Sequence, residues 1–493
     1  MHQLKKYLPI IVIAIYFLLQ FPFLKADPDK RVDTFRHAWT DEGLYSSQIR
    51  NFVDVGKFDI KENSTFVRGP VFNIIQLPFF YILGTNLIVA RLIILCWTIL
   101  VLFLFLRNEK LRNFGLFMTV FALLEFHVFQ FTHYSMAELL CIDFILLSLY
   151  FIISSLEEKR KGKKISLVFL SSLMLFLCYS SKVQFLYVGA LAPATFFFLS
   201  LNESILNRKI KLQYFFPFLW SMLFSGLLAG IYYFLWYLPN YEFYQYVMTS
   251  ETSGRFGKTI KELWQTIKFN NEHILWTGDF KFGFAHFYLI LLVGFVFFIA
   301  KKKKAIHSVI SIFSMVWIIL ELHKMPMNYL PNQYLVSLIF AIGVFIASIY
   351  AELMAYFNKF KFLIIGIALL VGLYNLKYNY GAYKVRTYQL RALNEYLNKP
   401  ELKGKTIIGP WAASSSWKSK SKTLPVWYQY FNWQNPITKY KPTIVISEIS
   451  EGESDNCYKN QGIDLKQISD SSKTFDVWNT QLVVYWIKKE ATK

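Results

Sequence analysis

The residues best suited to chemistry in this chain are an adjacent acidic pair, Asp41 and Glu42, inside the stretch His37-Ala38-Trp39-Thr40-Asp41-Glu42-Gly43-Leu44-Tyr45. A carboxylate at a membrane surface can take the proton of an acceptor hydroxyl, or hold a divalent metal with a second acid. Acidic residues at a helix start can also do no more than complement the helix dipole. The second acid is Glu138, which closes His133-Tyr134-Ser135-Met136-Ala137-Glu138, with Asp143 about one turn further on. Ionisable groups at the edge of apolar spans are costly, which makes them functional candidates. Glu138 is expected on the same side as Asp41. Asp143, more deeply set, is expected to pair with a neighbouring span, and His133 to be an interfacial side chain.

The complementary half is basic. Arg68, Lys182, Arg255, Lys258, His323 and Lys324 fall on the same expected face and could neutralise a phosphate. Arginine suits this because its planar fork binds phosphate oxygens in pairs. Each could equally snorkel to lipid headgroups. Arg68 stands out because Gly69 and Pro70 constrain the backbone beside it.

The elements that must position these groups follow from composition. The chain has 493 residues, 55% hydrophobic and 17% charged, so it carries less charge than the roughly one quarter usual in soluble domains. Its apolar residues come in blocks of about 17–22, long enough to cross a bilayer. The formal net charge of +21 does not indicate nucleic acid. The basic residues cluster in short loops, at Arg107 to Arg112, Lys159 to Lys164, Arg208 to Lys211, Lys301 to Lys304, and Lys359 with Lys361, which is the cytoplasmic signature. Of the four cysteines, Cys96, Cys141 and Cys178 lie in apolar blocks and Cys457 stands alone, so neither a disulfide framework nor a zinc site is indicated. The first apolar stretch lacks a small-residue cleavage site and reads as an uncleaved span.

Counting blocks gives about eleven spans, near 7–24, 86–106, 114–132, 137–156, 165–181, 184–201, 214–237, 284–300, 305–322, 333–350 and 362–378. The N-terminus is then cytoplasmic, and segments 25–85, 238–283 and the tail after about 380 are extracytoplasmic. In the first of these, Thr40 is expected to cap a helix beginning at Asp41 and ending near Gly56, with Leu44, Tyr45, Ile49, Phe52 and Val53 on one face. That helix is expected to lie in the interface with its acidic end exposed to headgroups. A second interfacial element, Pro70 to Leu83, is interrupted by Pro78. The tail reads as a helix over 380–400 followed by strands at 405–409, 442–447 and 481–488, a small α/β domain. The division is thus a membrane domain over 1–378 and an extracytoplasmic domain over 379–493. Trp411, Trp417, Trp427 and Trp433 suit the core of that domain better than a glycan-binding surface. Asn63-Ser64-Thr65 fits a glycosylation sequon.

The Trp39 to Tyr45 stretch, an Arg-Gly-Pro soon after it and an acid at the outer end of the third span resemble the GT-C superfamily of glycosyltransferases. The nearest group is the lipid-linked-sugar transferases related to protein O-mannosyltransferases and lipid A aminoarabinose transferases. The resemblance covers roughly residues 1–350. It implies a GT-C-like helical fold, Asp41 as catalytic carboxylate with Glu42 beside it, and Glu138 as the second acid. Arg68, Lys182, Arg255 and Lys324 are then expected at the donor phosphate. Tyr45, Tyr329, Gln333 and Tyr334 are expected near sugar or acceptor, with Gln333 standing where relatives often carry Arg. The implied reaction moves a sugar from a polyprenyl-phosphate donor to a hydroxyl of a lipid, glycan or protein acceptor at the outer face of a bacterial plasma membrane. The implied reaction needs no nucleotide site and no nucleic acid, and any divalent metal would sit at Asp41 and Glu138. The aromatic-rich 238–283 segment could cover the sugar. The rivals are a transporter or flippase of lipid-linked sugars and a surface-polysaccharide ligase or polymerase.

Overall fold

The computed structural model describes residues 2–32, 37–207, 212–251, 254–272, 305–356, 361–449 and 453–492. Among them, six helices are long and apolar enough to cross a membrane, or seven if one bent pair counts as a single span. The six include α5 (Leu87–Arg107), α8 (Ala137–Glu157), α9 (Lys161–Ser181) and the span within helix Asn332–Tyr356. Shorter apolar helices add to the bundle: α1 (His2–Gln20), α4 (Pro70–Leu83) and Ala305–Glu321. The expected span at 284–300 lies outside the described residues. Position Pro78 differs from expectation, because α4 runs through it unbroken; Pro70 starts this helix and Gly84, at φ +83°, ends it.

The apolar block 114–132 is not one straight span. It divides into α6 (Arg112–Leu124) and α7 (Phe126–Thr132), which meet at 90°. Glu125 sits at the elbow with extended backbone, and its carboxylate accepts the Val128 amide at 2.6 Å, capping α7. Carbonyls freed by such a break must find donors, since no water serves them in an apolar bundle. Asn379 Nδ2 donates to Leu123 O at 2.9 Å and lies 3.4 Å from Leu124 O. Asp143, as expected, is met by a neighbouring span: Thr98 donates to its Oδ2 at 2.9 Å.

The first-loop helix α2 (His37–Val55) corrects two expectations. It is already helical at His37, so Thr40 is not its cap but lies inside it, its carbonyl accepting from Ser414 Oγ at 2.9 Å. Nor does α2 rest exposed in the interface. It is buried along nearly its whole length, between α4 and the C-terminal domain. Trp39 belongs to the core of that domain, with Leu393 and Trp411, while Ala38 belongs to the membrane core. Gly43 makes the fit possible: a Cβ there would lie 2.4 Å from Ser414 N. Arg50 donates to Ala413 O at 2.6 Å and Ser416 O at 3.0 Å, with its guanidinium 4.0 Å from the Trp417 ring centroid. Gly56, at φ +69°, ends α2 as expected. Asn63 is wholly buried and its side chain caps the short helix Ser64–Arg68, so the sequon asparagine serves the fold.

The C-terminal domain is built on a five-stranded mixed sheet in the order β2-β1-β3-β5-β4. Its strands are β1 (Thr406–Ile408), β2 (Lys422–Leu424), β3 (Ile444–Glu448), β4 (Ser469–Val477) and β5 (Thr480–Ile487). β1 runs parallel to β2 and β3, whereas β5 is antiparallel to β3 and β4. The helix expected over 380–400 is two: one spans Lys361–Lys384, the next Gln389–Tyr396. Asp27 causes the division, because its carboxylate accepts the Gln389 and Leu390 amides and the Thr387 hydroxyl. Trp411 lies in the sheet core, as expected, whereas Trp417 is buried against Ile49, Phe80 and Ile93 of the helical part; Trp427 and Trp433 are half-buried, Trp433 against the second sheet core.

Candidate active site

Adjacent side chains on a helix point about 100° apart, so Asp41 and Glu42 cannot serve one partner. Glu42 turns inward to Arg91, which donates to its two oxygens at 2.8 and 2.5 Å. Ser135 N adds a third bond to Glu42 at 2.7 Å, and Arg91 Nη1 is held by the carbonyls of Phe23 and Ala26 at 2.9 and 2.6 Å. A bidentate, fully bonded pair is how a buried charge is tolerated.

Asp41 turns the other way. Tyr45, one turn along α2, donates its hydroxyl to Asp41 Oδ2 at 3.3 Å. Burial, reinforced by the Asp41 charge, holds the Tyr45 phenol well above the usual tyrosine range, so it stays protonated as a donor. Lys182, just past the end of α9, donates to Tyr45 Oη at 3.1 Å and to Glu138 Oε1. Glu138 is fully buried, and its Oε2 has no hydrogen-bond partner among the described residues. The Lys182 ammonium also lies 5.0 Å from the Tyr45 ring and 5.1 Å from the Tyr334 ring.

Tyr334 continues the chain of contacts. Its hydroxyl is met by Arg255 Nη1 at 3.1 Å and by Gln184 Nε2 at 2.5 Å. Arg255 is fixed by its backbone: Asn328 N donates to Arg255 O at 2.6 Å, and Phe256 pairs with Met327 as a β-bridge. Asp41, Tyr45, Glu138, Lys182, Tyr334 and Arg255, drawn from five separate stretches of sequence, are thus brought together. Arg68 is half-buried on the flank, and its charge acts on Tyr45 and Tyr244. Gly69 explains that placement, since a Cβ there would lie 2.1 Å from Ser181 O, beside Lys182. Two further side chains reach this strip: Trp236, at the end of the expected span 214–237, and Tyr244, in the expected outer segment, donate through Nε1 and Oη to Val67 O at 2.8 and 2.6 Å.

The remaining expected residues are placed differently. Lys324 is buried and its ammonium meets Glu321 at 2.6 Å and the Tyr334 carbonyl at 3.0 Å. Gln333 is buried with its Oε1 unpartnered among the described residues, and Tyr329 is half-buried in the preceding turn. Lys258 and His323 are exposed. Arg91 and Gln184, which hold Glu42 and the Tyr334 hydroxyl, escape motif reading, although a lone charge such as Arg91 near the end of an apolar block is itself a signal.

As a metal pair, Asp41 and Glu138 are a poor fit as they stand, because the Lys182 ammonium occupies Glu138. Among the described residues no three His, Cys, Asp or Glu side chains converge.

No family model matches this sequence, and no curated protein matches it. Solved structures do. ArnT from Cupriavidus metallidurans in the apo state aligns with TM-score 0.58 at 11% identity, over 98% of this chain and 98% of that one. The same protein bound to undecaprenyl phosphate gives TM-score 0.56 at 11% identity, covering 96% and 97%. The Archaeoglobus fulgidus oligosaccharyltransferase tethered to an acceptor peptide gives 0.55 at 11% identity, covering 91% of this chain and 70% of that one. The protein is therefore an α-helical multi-pass membrane protein of the GT-C fold, with a small C-terminal sheet domain.

Proposed function

We propose that the protein is a glycosyltransferase that moves a sugar from a polyprenyl-phosphate donor to an acceptor hydroxyl at the outer face of the plasma membrane. The observation that carries the reading is the polarity of one contact chain. A carboxylate, Asp41, stands at one end, and the cations Lys182 and Arg255 flank Tyr334 at the other. Sugar transfer needs both ends. Asp41 takes the acceptor proton as that oxygen attacks the anomeric carbon. The bond to the lipid phosphate breaks, and the phosphate leaves with the electron pair. Arg255, Lys182, the Tyr334 hydroxyl and Arg68 stabilise its charge in a low-dielectric site, where fixed cations act strongly.

The supporting parts have separate tasks. Tyr45 orients Asp41 through its hydroxyl, Glu138 sets the Lys182 ammonium, and Glu42 anchors α2 through Arg91, making it a positioning residue. The segment bearing Trp236 and Tyr244 excludes water that would hydrolyse the donor. Orientation agrees: Arg107 ends α5 and Lys161 begins α9, each at the helix end remote from the site, which suits a cytoplasmic N-terminus and an extracytoplasmic C-terminal domain. Likeness in fold to a protein crystallised with undecaprenyl phosphate supports the donor class. A divalent cation would require Lys182 to leave Glu138. The acceptor class is a lipid, glycan or protein hydroxyl, and the sugar a hexose or pentose.

The test is transfer from a panel of polyprenyl-phosphate sugars by the reconstituted protein, with and without chelator, against Asp41→Asn. Turnover lost in the variant with polyprenyl phosphate still bound is the expected outcome. Equal turnover removes Asp41 as the base. Movement of donor between leaflets without transfer would make the protein a flippase.

A further inference from the structure

Glu321 is a buried, multiply bonded carboxylate that the transfer chemistry leaves unused. Its side chain is 0% exposed at the end of helix Ala305–Glu321. A carboxylate buried there persists only if donors surround it. Three do, and a cation joins them. Tyr187 Oη and Ser337 Oγ donate to Oε1, the latter at 2.6 Å, Trp317 Nε1 donates at 3.2 Å, and the Lys324 ammonium meets Oε2 at 2.6 Å.

What these donors belong to gives the carboxylate its meaning. Tyr187 lies on the 3-10 segment Val183–Ala190, which begins directly after Lys182 and carries Gln184. Ser337 is one helical turn beyond Tyr334 on the same helix. Lys324, the paired cation, donates to the Tyr334 carbonyl at 3.0 Å. Glu321 therefore ties together the two segments whose side chains meet at the Tyr334 hydroxyl, where Gln184 approaches to 2.5 Å. Lys324, stacked over the Phe185 and Tyr187 rings at 4.9 and 5.5 Å, is committed to this brace.

We propose that Glu321 is a positioning residue: through Tyr187, Ser337 and Lys324 it holds the Tyr334 hydroxyl and Gln184 in register with Lys182 and Arg255, and Lys324 acts within that brace rather than on the phosphate. The inference rests on the reading of Lys182, Tyr334 and Arg255 as the phosphate-binding end of the site.

The experiment measures equilibrium binding of sugar-free polyprenyl phosphate to the full-length protein in nanodiscs, alongside donor KM and kcat where transfer is present. Glu321→Gln keeps an acceptor oxygen for Tyr187 and Ser337 but strips the charge from Lys324. It is expected to weaken polyprenyl phosphate binding about tenfold, the scale of one lost charge-assisted bond, and to raise KM more than it lowers kcat. Tyr334→Phe is expected to weaken binding similarly, and the double variant to be no weaker than Tyr334→Phe alone, because Glu321 works through that hydroxyl. Multiplying effects in the double variant, or unchanged binding in Glu321→Gln, would overturn the proposal. Should Glu321→Gln fail to fold, Tyr187→Phe and Ser337→Ala each remove one donor at constant shape and carry the same test: a two- to fivefold loss of binding sustains it, and wild-type binding in both overturns it. Wild-type protein that binds the lipid phosphate but transfers no sugar refutes the glycosyltransferase reading alone. Absence of binding in the wild type overturns both.

Discussion

Gly43→Ala is the sharpest test of how the site is assembled, because two effects of the same methyl group oppose each other. Gly43 lies inside α2, where helix propensity alone favours alanine by about 1 kcal/mol. The added Cβ, however, would stand 2.4 Å from Ser414 N and 2.6 Å from Ala413 C and Ser414 Cα. Carbon contacts settle near 3.5–4.0 Å, so the two backbones must part by about 1 Å, and neither can rotate away as a side chain would. Overpacking of this kind costs about 1–3 kcal/mol, which cancels or outweighs the propensity gain. The larger consequence falls on the proposed chemistry. Asp41, the proposed base, is two residues from the contact, and a 1 Å misplacement of a reacting group costs on the order of a hundredfold in rate. Thermal unfolding in detergent and initial rates of transfer from a polyprenyl-phosphate sugar separate the two terms. The expected result is a small fall in Tm with a rate loss near a hundredfold. An alanine variant with raised Tm and wild-type rate would show that α2 and residues 412–415 do not meet in this way, and would refute the account of how Asp41 is held.

Arg91→Met leaves Glu42 buried without its partner and should cost about 3–5 kcal/mol in stability, largely recovered in Arg91→Met with Glu42→Gln; recovery absent in the double variant would disprove the pairing. Asn379→Leu removes the donor to the elbow carbonyls and should cost about 1–3 kcal/mol, read by denaturation at constant detergent. Burial pushes the Asp27 carboxyl up from its ordinary 3.8. The folded protein therefore keeps a proton that the unfolded chain has released, so this increment of stability is present below about pH 3.8 and is lost as pH rises through the raised value. Asp27→Asn should abolish that slope in acid denaturation curves, and an unchanged slope would assign it to another group.

Much of the site was legible as chemistry at the mouths of apolar blocks. Glu138 and Lys182 stand out because charge is expensive there, and Asp41 because it belongs to an acidic pair between two apolar blocks. What motif reading misses is direction. The 100° step between Asp41 and Glu42 already implies that one of them must look for a partner elsewhere, and Arg91, alone in an apolar block, was the available answer. Glu125 in the middle of block 114–132 is a comparable signal, since a carboxylate among so many apolar residues marks a break better than a span. In the sheet, the three central strands β1, β3 and β5 match apolar runs. The edges β2 and β4 do not: β2 (Lys422–Leu424) is too short to form a run, and β4 (Ser469–Val477) keeps a largely exposed, polar face. Thr40 fails as a cap because Ala38 and Trp39 are needed in two different cores, and that demand extends the helix backwards past the capping residue.

The sharing of α2 between the membrane core and the sheet core also sets a schedule for biogenesis. Gly43 and Ser414 are 371 positions apart (414 minus 43), so at 5–20 residues per second roughly 20–75 s of synthesis separate the two halves of that contact. During this interval α2 has been made but the residues 412–416 that pack on it have not. The seat of α2 is therefore completed only once residues 412–416 have been made, and a protein truncated before residue 412 would lack the surface against which Gly43 and Arg50 pack.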